Sequence, residues 1–253
     1  MSMIRRYVSK GRKDPSAALR FLISGRKGTT RFQVRRLVKA LGSSTEAVAR
    51  LYESIDSAID FHSYLSSMLG TAYFEQIKEA EHLYVMTRLI QPKVVIETGV
   101  AAGVSSAFIL KALADNGLGI LYSIDVPQKY YTPPPELSAR FINPKTEPLT
   151  EEQVGFAVPK DIKDIWVLKL GKSSDILHGL LKEVGNINMF LHESEHSYRN
   201  MMFEFTTAWD FLTSPGLLVS HDISWNNSLY DFSKKVNRKV MEVSSADLGV
   251  IVK

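Results

Sequence analysis

The sequence predicts an α/β fold with a doubly wound, mostly parallel sheet, a C-terminal antiparallel hairpin and a preceding N-terminal helical region. Three observations predict it. Apolar residues recur at helical spacing from about residue 14 to residue 91. From residue 93, short apolar runs alternate with helical segments. The last two apolar runs are short and have the pattern of β-strands. Repeated strand–helix–strand order implies right-handed crossovers and therefore parallel strands.

The helical region divides into four predicted helices. Asp14 followed by Pro15 opens a helix over about 14–24, and a second covers about 30–41. A third is predicted as one continuous helix over 45–65, because its apolar residues recur at helical spacing. The fourth spans about 71–91 and ends there because the following proline cannot extend a helix.

Continuous apolar runs then predict strands that are buried on both faces, as in a Rossmann-like sheet. These runs are 93–97, 119–125, 165–170, 187–192 and 216–222. Helical segments are predicted between them at about 103–115, 174–184 and 197–213. KVMEV and GVIVK, at 239–243 and 249–253, predict the edge hairpin.

The amino-acid composition excludes several kinds of functional site. The 253 residues are 45% hydrophobic and 23% charged and include no cysteine, which excludes disulfides, Cys-ligated zinc, iron–sulfur clusters and thiol nucleophiles. The start has no signal-peptide core, and no apolar run is long enough to span a membrane, so we expect a cytoplasmic protein with no membrane partner.

The net charge of +4 is unevenly distributed. Residues 1–50 hold thirteen Lys or Arg and two acids, a net charge of +11, which leaves −7 for the other 203 residues. We therefore predict a basic helical N-terminal extension over 1–70 and a separate functional domain over 71–253. A solvated helical face is the simplest interpretation of the basic segment.

The ends of the predicted strands carry the candidate binding residues, because ligands of open α/β sheets lie at the carboxyl ends of the strands. The first strand ends in Glu97, Gly99, Gly103 and Ser105, in the pattern E-x-G-x-x-x-G-x-S. This pattern lacks the G-x-G-x-x-G spacing of a pyrophosphate site and places a carboxylate beside the turn. Asp125 ends the second strand, where it can bind a ribose diol. A nucleoside with an ammonium group and no phosphate indicates S-adenosylmethionine (SAM); the alternative is a plain strand-to-helix turn.

The run VVIETGVAAGVSS (94–106) resembles the first motif of class I SAM-dependent methyltransferases, and LYSID (121–125) resembles their second. The wider pattern is similar to a subgroup with an HDSxHxY-like fourth motif, related to small-molecule and sugar O-methyltransferases. Its further features, which extend the resemblance over about 70–253, are GFAVP (155–159), WVLKLGKSSDIL (166–177), MFLHESEHSYRNMMFEF (189–205), PGLLVSHDISWN (215–226) and DLGVIV (247–252).

The resemblance implies roles for individual residues. The amino-acid end of SAM would be held by Glu97, Gly99 and Gly103, with Ser105 completing the motif. Asp125 would bind the ribose. Lys172 and Ser173 would lie near the adenine, although Ser173 or Ser174 could instead cap the next helix. Glu193 and Asp222 would face the transferred methyl group.

An alcohol acceptor must lose a proton during methyl transfer. His196 or His221 is a candidate base, because imidazole titrates near neutrality. Alternatively Glu193 and Asp222 supply two oxygen ligands for a divalent cation such as Mg²⁺. The related motifs have Asp where this chain has Glu193 and two acids where it has His221 and Asp222, which weakens the metal alternative.

Three functions remain open at this stage. The first is O-methylation of a small molecule or saccharide, the second is a catalytically inactive SAM-binding scaffold, and the third is a nucleic-acid methyltransferase that uses the basic N-terminus. The acidic segment at 193–196 argues against the third. The long connection at 126–164, with Tyr130, Tyr131, Phe141 and Phe156, is the candidate for acceptor selection. The identity of the acceptor and a homo-oligomeric state stay open.

Overall fold

The computed structural model describes residues 42–70, 74–135, 149–243 and 246–253. The predicted helices at 14–24 and 30–41, most of the basic segment, and Phe141 lie outside the described residues. The elements follow, labelled in chain order.

The helices of the described residues are α1 (Thr45–Asp56), α2 (Ile59–Leu69), α3 (Phe74–Ile90), α4 (Val104–Asn116), α5 (Ser173–Val184), α6 (Tyr198–Phe211) and α7 (Ser228–Lys235). The strands are β1 (Val94–Thr98), β2 (Ile120–Asp125), β3 (Trp166–Leu170), β4 (Ile187–His192), β5 (Leu212–Ser220), β6 (Val240–Val243) and β7 (Leu248–Val252). Short 3₁₀ turns cover Gln128–Tyr130, Glu151–Gln153 and Lys160–Ile165.

The strands form one sheet in the order β3-β2-β1-β4-β5-β7-β6. The first five strands are parallel, and β7 pairs antiparallel with both β5 and β6. The predicted fold class, including the C-terminal hairpin, is therefore confirmed. The strand order reverses between β1 and β4, and such a reversal opens a crevice at the carboxyl ends of the strands.

Two hydrophobic clusters cover the two faces of this sheet. Phe108 of α4 belongs to one cluster, and Phe205 of α6 belongs to the other. Buried residues of α1 and α2 share the first cluster with α4 and β1. Residues 45–69 thus pack in the same core as the sheet, and the boundary at residue 70 stays a prediction.

The single helix predicted over 45–65 is wrong, because the chain breaks between α1 and α2. The amides of Ser57 and Ala58 close α1 by donating to the carbonyls of Glu53 and Ile55 at 3.0 and 3.2 Å. The break shifts the helical phase, so that Phe61, Leu65 and Leu69 are buried. Ile59, which continues the apolar spacing of α1, is instead 71% exposed.

The long connection after β2 folds back onto the turn after β1. The amides of Gly155 and Ala157 donate to the carbonyls of Ala101 and Ala102 at 2.8 and 3.0 Å. This contact places residues 154–158 against the start of α4 and so fixes one side of the crevice.

The helix α7 was not predicted from the sequence. It is eight residues long, and five of its residues are Ser, Asp or Lys, so no long apolar pattern marks it in the sequence. Among the described residues, each helix is either too short or too polar to cross a bilayer.

Candidate active site

A cavity of about 470 Å³ opens at the carboxyl ends of the parallel strands. Its size is typical of a site for a small ligand. Seven predicted site residues line it, namely Gly99, Ser105, Asp125, Lys172, Ser173, Glu193 and His221. The cavity wall does not include Glu97, Gly103, His196 or Asp222.

Gly99 forms the tight turn after β1. Its φ of +84° lies in the left-handed region, and a Cβ added there would lie 2.3 Å from the carbonyl oxygen of Glu193. The amide of Glu193 also donates to the carbonyl of Thr98 at 2.8 Å. The turn and the segment after β4 are therefore in close backbone contact, which only glycine permits.

Gly103 closely approaches the long connection after β2. A Cβ there would lie 2.8 Å from a methyl carbon of Val158 and 2.9 Å from the Cα of Gly155. The close approach that Gly103 permits is thus to the long connection. Its expected contact with the amino-acid end of SAM stays a prediction.

Glu97 is fully buried beneath the turn and does not reach the cavity. The hydroxyls of Ser105, Ser106 and Ser123 donate to its carboxyl group at 2.6, 2.6 and 2.7 Å. Burial raises the pKa of Glu97 to about 7, against the lowering effect of the three hydroxyls. These bonds tie Glu97 to Ser105 and to the start of α4, and its expected contact with SAM stays a prediction.

Asp125 faces the cavity at the tip of β2. Its Oδ2 accepts the amides of Val100 and Ala101 at 3.3 and 2.8 Å, which ties the turn after β1 to β2. Burial raises the pKa of Asp125 to about 6 although these amides act in the opposite direction. Asp125 thus both shapes the turn and borders the space where a ribose was expected.

Lys172 and Ser173 lie at the start of α5, on the same wall. Lys172 occupies the N-cap position and makes no side-chain cap. The hydroxyl of Ser173 contacts Asn200 Oδ1 at 3.4 Å. Neither Ser173 nor Ser174 is the N-cap residue, so the capping alternative is wrong.

His221 lies between three carboxylates at the other end of the cavity. Its Nδ1 is 3.0 Å from Glu193 Oε1 and 3.9 Å from Asp222 Oδ1, and its Nε2 is 3.4 Å from Glu79 Oε2. Burial by itself lowers the pKa of His221, but Glu193, Glu79 and Asp222 outweigh it and raise the pKa well above the usual range. The three carboxylates therefore favour the protonated ring, which disfavours the expected role of His221 as a base.

His196 is buried and lies behind the cavity wall. Its Nδ1 is 3.2 Å from His192 Nε2, and its Nε2 is 3.5 Å from Asp222 Oδ2. Burial, followed by the charges of His192 and His221, lowers the pKa of His196 well below the usual range. Burial thus favours the neutral ring, and His196 lies outside the lining of the cavity, which disfavours its expected role as a base.

Asp222 follows β5 in the left-handed region, with a φ of +51°. Burial raises its pKa to about 6; the charge of His221 lowers that value, and the charge of Glu193 adds to it. Its carboxyl group lies against His196 and His221, outside the lining of the cavity.

Several residues of the site were not predicted. Glu79 of α3 and Glu195 lie in the cavity wall, and Glu195 Oε2 accepts a hydrogen bond at 2.9 Å from the hydroxyl of Tyr131, which belongs to the connection predicted to select the acceptor. His192, at the tip of β4, contacts the buried carboxylate of Glu204 at 2.6 Å. The end of the apolar run 187–192 marks His192 in the sequence, whereas no local pattern connects Glu79 with His221.

The carboxylates of Glu193 and Asp222 do not form the expected metal site. Both carboxylates instead lie against the His221 ring, with Glu193 Oε1 at 3.0 Å and Asp222 Oδ1 at 3.9 Å from its Nδ1. Within the described part of the chain, no three Asp, Glu or His side chains are grouped so as to hold a metal ion. The donor set therefore does not fit a divalent cation.

Comparison with known proteins identifies a family. A model described as a methyltransferase domain matches residues 96–223. No curated protein is significantly similar to the chain.

Solved structures share the fold. A methyltransferase of Podospora anserina, PaMTH1, bound to S-adenosylhomocysteine (SAH), is 11% identical, with a TM-score of 0.50 over 82% of this chain and 87% of that chain. The calicheamicin methyltransferase CalS11 is 14% identical, with a TM-score of 0.52 over 82% of this chain and 91% of that chain.

Proposed function

This chain belongs to the methyltransferase-domain family and has the class I fold, and on that premise we propose that it transfers the methyl group of SAM to a hydroxyl of a small molecule or saccharide. One observation carries the proposal. A single cavity joins the turn at Gly99 and the carboxylate of Asp125 to the Glu193–His221 pair. One end of the cavity thus suits a nucleoside, and the other end suits an acceptor.

The donor end would hold SAM through residues already in place. Asp125 offers a carboxylate to the ribose diol, and Lys172 and Ser173 border the space beside it. Gly99 leaves the backbone of the turn accessible to the amino-acid part of SAM. The buried side chain of Glu97 lies beneath this turn and stabilises it. Bound SAM supplies an electrophilic methyl group on a sulfonium centre.

The acceptor end is acidic, which favours both the binding of the sulfonium and the removal of the proton from the hydroxyl. Glu79, Glu193 and Asp222 surround one imidazolium, so the carboxylates outnumber the cationic side chain of this cluster three to one. An excess of negative charge favours a cationic sulfonium nearby. It also favours uptake of the proton that a hydroxyl loses as its oxygen attacks the methyl group.

We assign that proton to Glu193. Its carboxylate lines the cavity, whereas Asp222 lies behind the wall. His221 is already protonated, so it orients Glu193 instead of acting as the base. His196 and Asp222 are positioning residues in this proposal, because they contact His221 or each other and not the cavity.

Alignment and exclusion of water provide the rest of the rate enhancement. Tyr131 bonds to Glu195 across the cavity, and Tyr130 lines the same wall. These residues come from the connection expected to select the acceptor. Phe156 does not join them, because it packs against the hydrophobic core. The likeness of residues 189–205 to an HDSxHxY-type motif stays a prediction and is consistent with a hydroxyl acceptor.

The proposal is tested in two steps. Calorimetry with SAH should show saturable binding to the full chain, and labelled methyl from SAM should enter a small-molecule fraction of a cell extract. Glu193→Gln should keep SAH affinity within about threefold, because the charge lost lies at the acceptor end, but lower transfer by about a hundredfold or more.

Glu183→Gln is the matched control, since Glu183 is an exposed carboxylate on α5 that pairs with Lys169. Absence of SAH binding by folded protein contradicts the methyltransferase proposal. Binding without transfer to any extract component identifies a SAM-binding scaffold instead, and labelled nucleic acid identifies the wrong acceptor class.

A further inference from the structure

Behind the cavity lies a carboxylate that the proposed chemistry does not use. Glu204, on α6, is fully buried. Its Oε2 accepts hydrogen bonds from Thr98 Oγ1 and His192 Nδ1, each at 2.6 Å. Its Oε1 accepts from Ser194 Oγ at 2.7 Å and Asn200 Nδ2 at 3.0 Å. Each carboxyl oxygen is therefore bonded to two donors.

These donors come from both sides of the topological switch point. Thr98 is the last residue of β1, and His192 is the last residue of β4, with the two paired in register. Ser194 lies in the segment 193–197, which connects β4 to α6 and includes Glu193 and Glu195. A single buried carboxylate thus joins the tip of β1, the tip of β4 and the segment after β4.

The contact between those elements leaves little freedom for adjustment. Gly99 directly follows Thr98, and its Cα approaches the backbone of Glu193 so closely that an added Cβ would collide with it. A small shift of Thr98 or of the segment 193–197 would consequently change the shape of the turn. That turn borders the donor end of the cavity.

We propose that Glu204 is a positioning residue for the donor site, and this inference rests on the proposed function. It sets the distance between the Gly99 turn and the segment 193–197, and so prepares the cavity for the amino-acid part of the cofactor without contacting it. Loss of its hydrogen bonds relaxes both strand tips together, and the affinity for the cofactor falls.

Substitution by Gln is the sharpest perturbation of this role. Gln has the same length, but one carboxyl oxygen becomes an amide nitrogen that cannot accept the two hydrogen bonds it faces. Two of the four bonds are therefore lost, and buried donors remain without an acceptor. Thr98→Val is a milder, nearly isosteric change that removes one donor and leaves Glu204 intact.

The test uses the full chain and SAH as the probe, with calorimetry at a temperature where circular dichroism shows each variant folded. Glu204→Gln should weaken SAH binding by about tenfold or more, and Thr98→Val by about threefold to tenfold, as expected from one or two lost buried hydrogen bonds. Asp210→Asn, at an exposed carboxylate on the same helix, is the matched control and should leave the affinity unchanged.

A double substitution separates positioning from a general loss of stability. In the Glu204→Gln background, Thr98→Val should produce little further loss of affinity, because its partner has gone. A folded Glu204→Gln variant with wild-type affinity overturns the inference. If that variant does not fold, wild-type affinity in Thr98→Val overturns it instead.

Failure of the unmodified protein to bind SAH would overturn the proposed function and this inference together. The two failures are distinguishable, because loss of the proposed function appears in the unmodified protein, whereas failure of the Glu204 inference appears only in the variants.

Discussion

Gly99 offers a substitution whose energetic cost follows from two features of the backbone. A Cβ at this position would lie 2.3 Å from the carbonyl oxygen, 2.5 Å from the carbonyl carbon of Glu193 and 2.8 Å from the Cα of Ser194. All three contacts are with backbone, so no side chain can move aside. The φ of +84° adds strain for any residue with a Cβ.

Gly99→Ala should therefore lower the free energy of unfolding by about 2–5 kcal/mol. About 1–2 kcal/mol comes from the left-handed conformation, and about 1–3 kcal/mol from overpacking. Because the displaced backbone borders the donor end of the cavity, SAH affinity should also fall, by about tenfold or more. Urea unfolding measures the first quantity, and calorimetry with SAH measures the second.

Gly117→Ala provides the matched control. Gly117 has a φ of +67° at the C-cap of α4, but a Cβ there would contact nothing within 4 Å. It should therefore cost only the conformational strain of about 1–2 kcal/mol and leave SAH binding unchanged. Equal destabilisation by the two substitutions would contradict this prediction, because it would show that the backbone at Glu193 can move away from the new Cβ without a cost in free energy.

Three further predictions follow from hydrogen bonds and burial. The pKa of Glu97 is raised from 4.5 to about 7 in the folded protein, so its contribution to stability is full below about pH 4.5 and is lost as pH rises through 7. Glu97→Gln should remove on the order of 3 kcal/mol from the change in the free energy of unfolding between pH 4.5 and 8, as measured by urea unfolding. Parallel pH profiles for the wild type and the variant would contradict this prediction. Trp166→Phe removes the indole donor to Ser123 Oγ at 2.9 Å and should lower the free energy of unfolding by about 1 kcal/mol in the same assay, whereas an unchanged urea midpoint would argue against that bond. Tyr131→Phe removes the hydroxyl that donates to Glu195 and should speed amide hydrogen exchange at Tyr130 and Tyr131 about fivefold, an effect that exchange measured by NMR detects and that unaltered rates would disprove.

The sequence predicts the parallel sheet well because its strands are buried on both faces, which produces continuous apolar runs that polar residues end sharply. The same periodicity misleads between α1 and α2. Val48, Tyr52 and Ile55 predict that Ile59 is the next buried residue, yet the turn at Ser57 changes the phase and buries Phe61 instead. Local spacing cannot detect such a turn, since tertiary packing decides it.

For the site, the sequence locates the strand tips but not the direction of their side chains. Glu97 and Asp125 both end strands, yet Glu97 points beneath the turn and Asp125 lines the cavity. The choice of His221 as a base is disfavoured by Glu79, which helps to raise the pKa of the ring and lies on α3, far away in the sequence. Such a partner becomes visible only when the helices are packed on the sheet.

The central claim is that the cavity at the carboxyl ends of the strands holds the methyl donor beside an acidic acceptor end. A crystal structure of the full chain grown with saturating SAH tests it most directly. The account predicts density for SAH in this cavity, with the ribose against Asp125 and the sulfur end toward Glu193 and His221. Density for SAH elsewhere, or SAH in the cavity without contact to Asp125, would contradict it.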